Sequence, residues 1–465
     1  MQFDGGSFRD PAGRVIRHGD RILRAVFETG NAQYRAVKDS GVLDGIMERG
    51  WILAADKVPA SGIDQDLSAA VPGVCEWLEH PRLTFVSYPY EWCFSALKAA
   101  ALLHLDLHLS LLEQGFTLSD ATAYNIQFRG TQPVFIDHLS IIPYREGSVW
   151  LGQRQFGMQF LNPLYLWAKK GVAPHAWYRG SLEGIAPEDL AKLLGFRDRL
   201  SFNVLAHILG PAAFARRRVS EGLNARDRRE VRLPKPRLVA LLRSLRDFIS
   251  GLMLPGEKTV WDDYAEQNSY DHAKREAKHC FVAESVSAFA PRLAFDIGCN
   301  SGDFSQTALS AGAREVVGFD FDFGALERAF TRFRRTESPV LPLWLDATNP
   351  SPSQGWAGGE RKSLQERADA DMVLALAVIH HLAIGRNVPL DMAVDWLMSL
   401  APNGVIEFPS KADPMVQQLL RNRVDIFPDY DEDAFLHHVA ARGKIVRQER
   451  LGDGGRLIVA YKRRT

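Results

Sequence analysis

The chain has 465 residues, 46% hydrophobic and 24% charged, and its 56 basic side chains are balanced by 56 acidic ones. That length calls for more than one domain, and the composition is that of a globular chain, not a disordered or fibrous one. Zero formal charge marks neither nucleic acid nor an anionic membrane surface as an obligatory partner.

Residues 1–14 contain no apolar run, so no signal peptide is expected. The four cysteines, Cys75, Cys93, Cys280 and Cys299, are far apart with no C-x-x-C. This argues against a zinc site or a disulfide framework and fits a reducing, cytoplasmic setting. Gly5-Gly6-Ser7-Phe8 reads either as a short glycine loop or as a terminus, and a strand from Arg21 to Val26 carries Arg24. The stretch Ala99–Leu112 is the most apolar in the chain, but His104, Asp106 and His108 interrupt it. It is expected to be a buried core helix, and no membrane span is expected.

Asp120 and Asn125 stand five apart, and Asp137 ends an apolar run that follows a turn at Gly130. Together with the hinge-like Val86–Trp92 and the long apolar helix, this pattern resembles the D-x-x-x-x-N loop and metal-binding aspartate of the protein-kinase-like fold, in its aminoglycoside-phosphotransferase branch. The resemblance implies an α+β domain over residues 1–215, with ATP as a ligand. In that chemistry Asp120 acts as the base, and Asn125 and Asp137 hold magnesium. Two departures stand out. Arg24 occupies the place of a phosphate-binding lysine, which it does not replace chemically, and Asp137-His138-Leu139 lacks the usual glycine. An active phosphotransferase, a repurposed domain that recognises an acceptor or regulates, and a plain loop with Asx turns all remain open.

Residues 216–237 are rich in arginine, contain Glu221, Asp227 and Glu230, and end in Pro-Lys-Pro. They read as a surface connection followed by a helix from Leu238 to Leu252, a basic linker region spanning 216–257.

The remainder alternates strands and helices. Strands are expected at 293–297, 315–319, 340–345, 371–377 and 404–408, with helices including Ala325–Arg334 and Leu390–Leu400. Two runs separated by Gly452-Asp453-Gly454-Gly455 form a closing hairpin. Asp296-Ile297-Gly298-Cys299-Asn300-Ser301-Gly302-Asp303 follows the first strand and opens a helix. Glycines there let a ligand approach the backbone. A pyrophosphate would be repelled by the flanking acids, which suit a ligand carrying an ammonium group. Asp320 ends the second strand, where an acid is placed to accept hydrogen bonds from ribose hydroxyls.

These residues, with Asp346 after the third strand and His380-His381-Leu382 after the fourth, resemble class I S-adenosylmethionine (SAM) methyltransferases over residues 258–465. The resemblance implies an α/β domain with a seven-stranded Rossmann-like sheet. It implies SAM held by Asp296, Gly298, Asn300, Gly302, Asp320 and Asp346. Trp261 and Tyr264 precede the first strand and either cover the sulfonium, as a π-face can, or pack between domains. His380, His381 and Glu407 are the candidate bases. The leading expectation is a methyltransferase acting on a small-molecule or glycan-type acceptor, with the N-terminal half recognising that acceptor or regulating the enzyme. A bifunctional kinase–methyltransferase and a non-catalytic binding protein are the alternatives. Oligomeric state is not legible in the sequence.

Overall fold

The structure is a computed structural model and describes residues 1–213, 232–255, 272–421, 423–452 and 455–464. Trp261, Tyr264 and most of the arginine-rich connection lie outside the described residues.

The N-terminal part begins with a five-stranded antiparallel sheet in the order β1-β2-β3-β5-β4. Its strands are β1 (Gln2–Phe3), β2 (Gly13–His18), β3 (Arg21–Phe27), β4 (Asp56–Val58) and β5 (Val74–His80). The helix Phe94–Glu113 follows, and then two small ladders, β6 (Phe116–Leu118) with β9 (Ile141–Pro143) and β7 (Ile126–Arg129) with β8 (Gln132–Phe135). Among the described residues Phe94–Glu113 is the one helix long and apolar enough to cross a membrane, and most of it is buried inside this protein. As expected from its interrupting polar residues, it is a core helix, and His104 and His108 are fully buried in it. Gly5–Ser7 forms a single turn capped by Asp4, and a Cβ on Gly5 would lie 1.8 Å from the carbonyl oxygen of Gly359. The glycine is therefore required by close approach of the two halves.

The C-terminal part is a seven-stranded sheet in the order β12-β11-β10-β13-β14-β16-β15. Its strands are β10 (Leu293–Ile297), β11 (Glu315–Asp320), β12 (Val340–Trp344), β13 (Met372–Ala375), β14 (Asn403–Pro409), β15 (Gly443–Arg450) and β16 (Arg456–Arg463). The first five are parallel, and β16 inserts antiparallel between β14 and β15. Every residue of β10 and β13 is buried, as the covered centre of a parallel sheet requires. The edge strand β15 alternates half-buried and exposed positions after Gly443 and carries charged Lys444 and Arg450 among the exposed ones, with Arg447 and Glu449 half-buried, which discourages pairing with another chain.

From β10 the chain runs outward through β11 and β12, then returns to the other side of β10 as β13. The loops leaving β10 and β13 therefore diverge and open a crevice at the carboxyl ends of these two strands.

The two parts share one apolar core. Phe85 meets Phe295 and Phe319 edge-on at 5.5 and 5.9 Å, and Trp167 meets Phe323 at 4.9 Å. Charges also cross the junction. Arg367 is buried against Glu91 and donates to the Val86 carbonyl. Glu327 caps the first turn of Phe94–Glu113 through Ser95, at 2.9 Å to its N–H and 2.5 Å to its hydroxyl.

Five buried histidines of the N-terminal part, His80, His104, His108, His138 and His175, have pKa values pushed down to about 3, chiefly by burial. They are neutral when folded and bind a proton near pH 6.5 when unfolded. Stability is therefore complete above that pH and falls as pH drops below it, by up to about 1.4 kcal/mol per pH unit for each group. Urea midpoints should decline steeply between pH 7 and pH 5, and His104→Leu should flatten the decline. A midpoint that stays level over that range would contradict this.

Candidate active site at the carboxyl ends of the parallel strands

The turn after β10 holds three residues at positive φ within five positions, Gly298 (77°), Asn300 (49°) and Gly302 (85°). Glycine adopts this conformation freely, and asparagine tolerates it better than most residues. The turn is fixed to the end of β11. Gly298 and Cys299 both donate their N–H to the Phe319 carbonyl, at 2.7 and 2.9 Å, and Asn300 donates to Asp320 Oδ2 at 2.7 Å. Neither glycine has room for a side chain. A Cβ on Gly298 would sit 2.6 Å from Val378 Cγ2, and one on Gly302 would sit 2.4 Å from Phe333 Cε2. Val378 follows β13, so the turn packs against the opposite lip of the crevice.

Asp320 also accepts from the Asp322 N–H at 2.8 Å. Burial raises its pKa, and the backbone donors oppose that shift. A carboxylate offers about four lone-pair positions, so acceptor capacity remains after these two bonds. Asp346 is half-buried and folds the turn after β12 around itself, accepting from the Thr348 N–H at 3.0 Å and its hydroxyl at 2.6 Å.

The two acids flanking the glycines do not present free charge to the crevice, contrary to the sequence expectation. Asp296 is fully buried and accepts from Ser305 Oγ at 2.6 Å, and burial lifts its pKa to about 6. Asp303 is paired with Arg275 at 2.8 Å and Arg332 at 2.6 Å. Asp296 thus anchors the following helix, and Asp303 is neutralised at that helix's first turn.

His380 and His381 lie side by side, with ring centroids 4.1 Å apart, just beyond β13. His380 is fully buried with both ring nitrogens unpartnered, and burial, reinforced by His381, depresses its pKa to about 2. His381 is half-buried and depressed to about 4 by burial, with Arg456 adding to the effect. Nearby Ala377 has φ 54°, a costly conformation for alanine that marks the crevice as strained.

Glu407 is a correction. The sequence offered it as a base, but it is completely buried on β14 and paired with Lys278 at 2.6 Å and Arg456 at 3.1 Å. Burial alone would raise its pKa, but the two cations outweigh burial and hold it below the usual carboxylate range. A carboxylate so stabilised is a poor proton acceptor. Asp413 extends the network by pairing with Arg456 at 2.6 Å while capping the next helix.

In the N-terminal part the structure brings Asp120, Asn125 and Asp137 together. Asn125 Nδ2 lies 3.0 Å from Asp120 Oδ1 and 3.5 Å from Asp137 Oδ2. Burial, with Asp137 and Asp10 nearby, lifts the Asp120 pKa to about 7. Arg24 donates to Asp137 Oδ1 at 2.8 Å and to the Ile136 carbonyl at 3.0 Å. Its guanidinium therefore stands against the carboxylate a magnesium ion would need and competes with a cation for Asp137.

These features define an α/β protein with a glycine-containing turn at the switch point of a seven-stranded sheet. The chain belongs to the family of the nodulation protein NoeA of Rhizobium meliloti (strain 1021). It is 44% identical to that protein over 461 residues, covering 98% of this chain and 95% of the relative. No family model matches. Among solved structures, the N-methyltransferase NodS of Bradyrhizobium japonicum WM9, in complex with S-adenosyl-L-homocysteine, aligns with 43% of this chain and 92% of its own at 14% identity and a TM-score of 0.32. The bifunctional kinase-methyltransferase WbdD aligns with 43% of this chain and 41% of its own at 14% identity and a TM-score of 0.29.

Glu407→Ala would leave Lys278 and Arg456 buried with less counter-charge. Loss of one partner of a buried pair costs about 3–5 kcal/mol, so this variant should show a clearly lowered denaturation midpoint. A variant as stable as the parent would restore Glu407 as a candidate base.

Proposed function

We propose that the C-terminal half binds SAM in the crevice between β10 and β13 and transfers its methyl group to a small-molecule or glycan-type acceptor. The observation that carries this reading is the turn Gly298–Gly302 held on Asp320 at the switch point. The residues fit the donor. The turn keeps side chains away from the backbone where a ligand would approach. Asp320 has lone pairs to spare, and its burial penalty would be relieved by two ribose hydroxyl donors. Gly298, Asn300, Gly302 and Asp320 would hold the nucleoside, with Asp346 at the base edge, and Asp296 would act from behind by anchoring the helix. Trp261 and Tyr264 remain candidates for covering the sulfonium.

When bound, SAM supplies a methyl group already activated by its sulfonium, so the protein's task is alignment and exclusion of water. His380 and His381 stay uncharged at neutral pH because both pKa values are depressed. A neutral imidazole does not repel a cationic donor. Its low proton affinity suits accepting a hydrogen bond from the acceptor better than removing its proton. Of the two, His381 is the more exposed, which favours it over His380 as the residue that meets the acceptor.

For the N-terminal half we propose a kinase-like domain that recognises the acceptor or regulates the enzyme. The five-stranded sheet, the long core helix and the meeting of Asp120, Asn125 and Asp137 support the kinase-like reading. Arg24 against Asp137 favours recognition over phosphoryl transfer with ATP and magnesium. The name of the NoeA relative connects that protein to nodulation and specifies no reaction.

Calorimetric titration of the full chain with SAM tests the reading. Binding is expected, and Asp320→Ala should weaken it at least about tenfold by removing two hydrogen bonds to a charged group. An intact protein that binds no SAM would end the proposal.

A further inference from the structure

We infer that the N-terminal half builds one wall of the nucleoside pocket, with Arg179 as the positioning residue for the turn that carries Asp346. The inference rests on the methyl-donor reading above and adds to it a structural role for the other half.

The turn after β12 is closed by the Asn349 N–H on the Asp346 carbonyl at 2.9 Å, together with the Thr348 bonds already described. Thr348 and Asn349 are exposed, and little apolar packing is available to fix them. The restraint comes from the short helix His175–Gly180 of the N-terminal half. Arg179 Nη1 donates to the Asn349 carbonyl at 2.9 Å, and Nη2 donates to Asn349 Oδ1 at 3.0 Å and to the Pro350 carbonyl at 3.1 Å. A planar guanidinium reaches three acceptors at once in fixed geometry, which an ammonium group cannot reproduce.

The same helix sets the wall behind the turn. Trp344, the last residue of β12, lies nearly parallel to Phe323, with centroids 5.7 Å apart and planes inclined by 11°. His175 packs against both, at 5.0 Å from Trp344 and 4.6 Å from Phe323, and is held by its Nε2 on the Trp92 carbonyl at 3.0 Å. Trp344 in turn donates its indole N–H to the carbonyl of Phe321, the residue after Asp320, at 3.0 Å. The residue beside the ribose-binding acid and the turn at the base edge are thus both braced by one element of the opposite half.

Calorimetry on the full chain with S-adenosylhomocysteine and S-inosylhomocysteine tests this, because the two ligands differ at the base edge that Asp346 would meet. Arg179→Ala should weaken S-adenosylhomocysteine about tenfold, in the range of mutations that act through a neighbouring element, and should narrow the preference between the two ligands. Arg179→Lys, which keeps the charge and loses the fork, should stay folded and show a smaller loss of the same preference. Arg82→Ala removes an ion pair to Asp369 elsewhere on the junction and should leave affinity and preference unchanged. Parent-like affinity and preference in both Arg179 variants would overturn the inference and leave the methyl-donor reading standing. An equal loss in Arg82→Ala would also overturn it, because general docking of the halves would then be responsible. Absence of binding in the parent chain would overturn both.

Discussion

Three backbone N–H groups suspend the turn after β10 from the end of β11, two on the Phe319 carbonyl and one on Asp320. Other features of the site depend on that attachment. It forces the positive φ angles, which select glycine at 298 and 302 and admit asparagine at 300. It also places Asp320 directly beside an exposed stretch of backbone, and it presses the turn against Val378 so that the carboxyl ends of β10 and β13 form a single crevice. A parallel sheet whose strand order reverses between these two strands supplies the gap, and the suspended turn gives the gap its chemistry.

Charge is managed around this crevice by pairing. Glu407, Asp413, Lys278 and Arg456 form a buried network under its floor, and Asp303 is shared by two arginines at its rim. Such pairs are expensive to break and add little net stability over apolar packing, so their value lies in fixing which groups stand near His380 and His381 and in which charge state. The junction between the halves follows the same pattern. Glu91 with Arg367, and Glu327 on the first turn of Phe94–Glu113, lie against a core that runs through both halves. Arg179 also crosses the junction and differs in that its acceptors are neutral oxygens on the turn after β12 that carries Asp346.

Much of the architecture was legible in the chain. Buried parallel strands write themselves as continuous apolar runs, and each of the five expected in the second half falls within two residues of the observed strand. The corner was legible because Gly298, Gly302 and Asp320 are demanded by backbone geometry and register, which are local. The direction of the acids was not legible. Asp296 and Asp303 read as free charge because their partners Ser305, Arg275 and Arg332 sit up to 29 positions away. Glu407 read as a base for the same reason, since Lys278 is 129 positions distant and Arg456 is 49. The brace from Arg179 to Asn349, 170 positions apart, leaves no periodicity or motif to find. Ala377 at positive φ is equally silent, because alanine there breaks the local rule without announcing it.

A crystal structure of the full chain with S-adenosylhomocysteine tests the central claim most directly. The account predicts the adenosyl group seated on the Gly298–Gly302 turn, its ribose hydroxyls on Asp320 and its base edge at the Asp346 turn braced by Arg179. Ligand density elsewhere in the molecule, with this crevice empty, would contradict it.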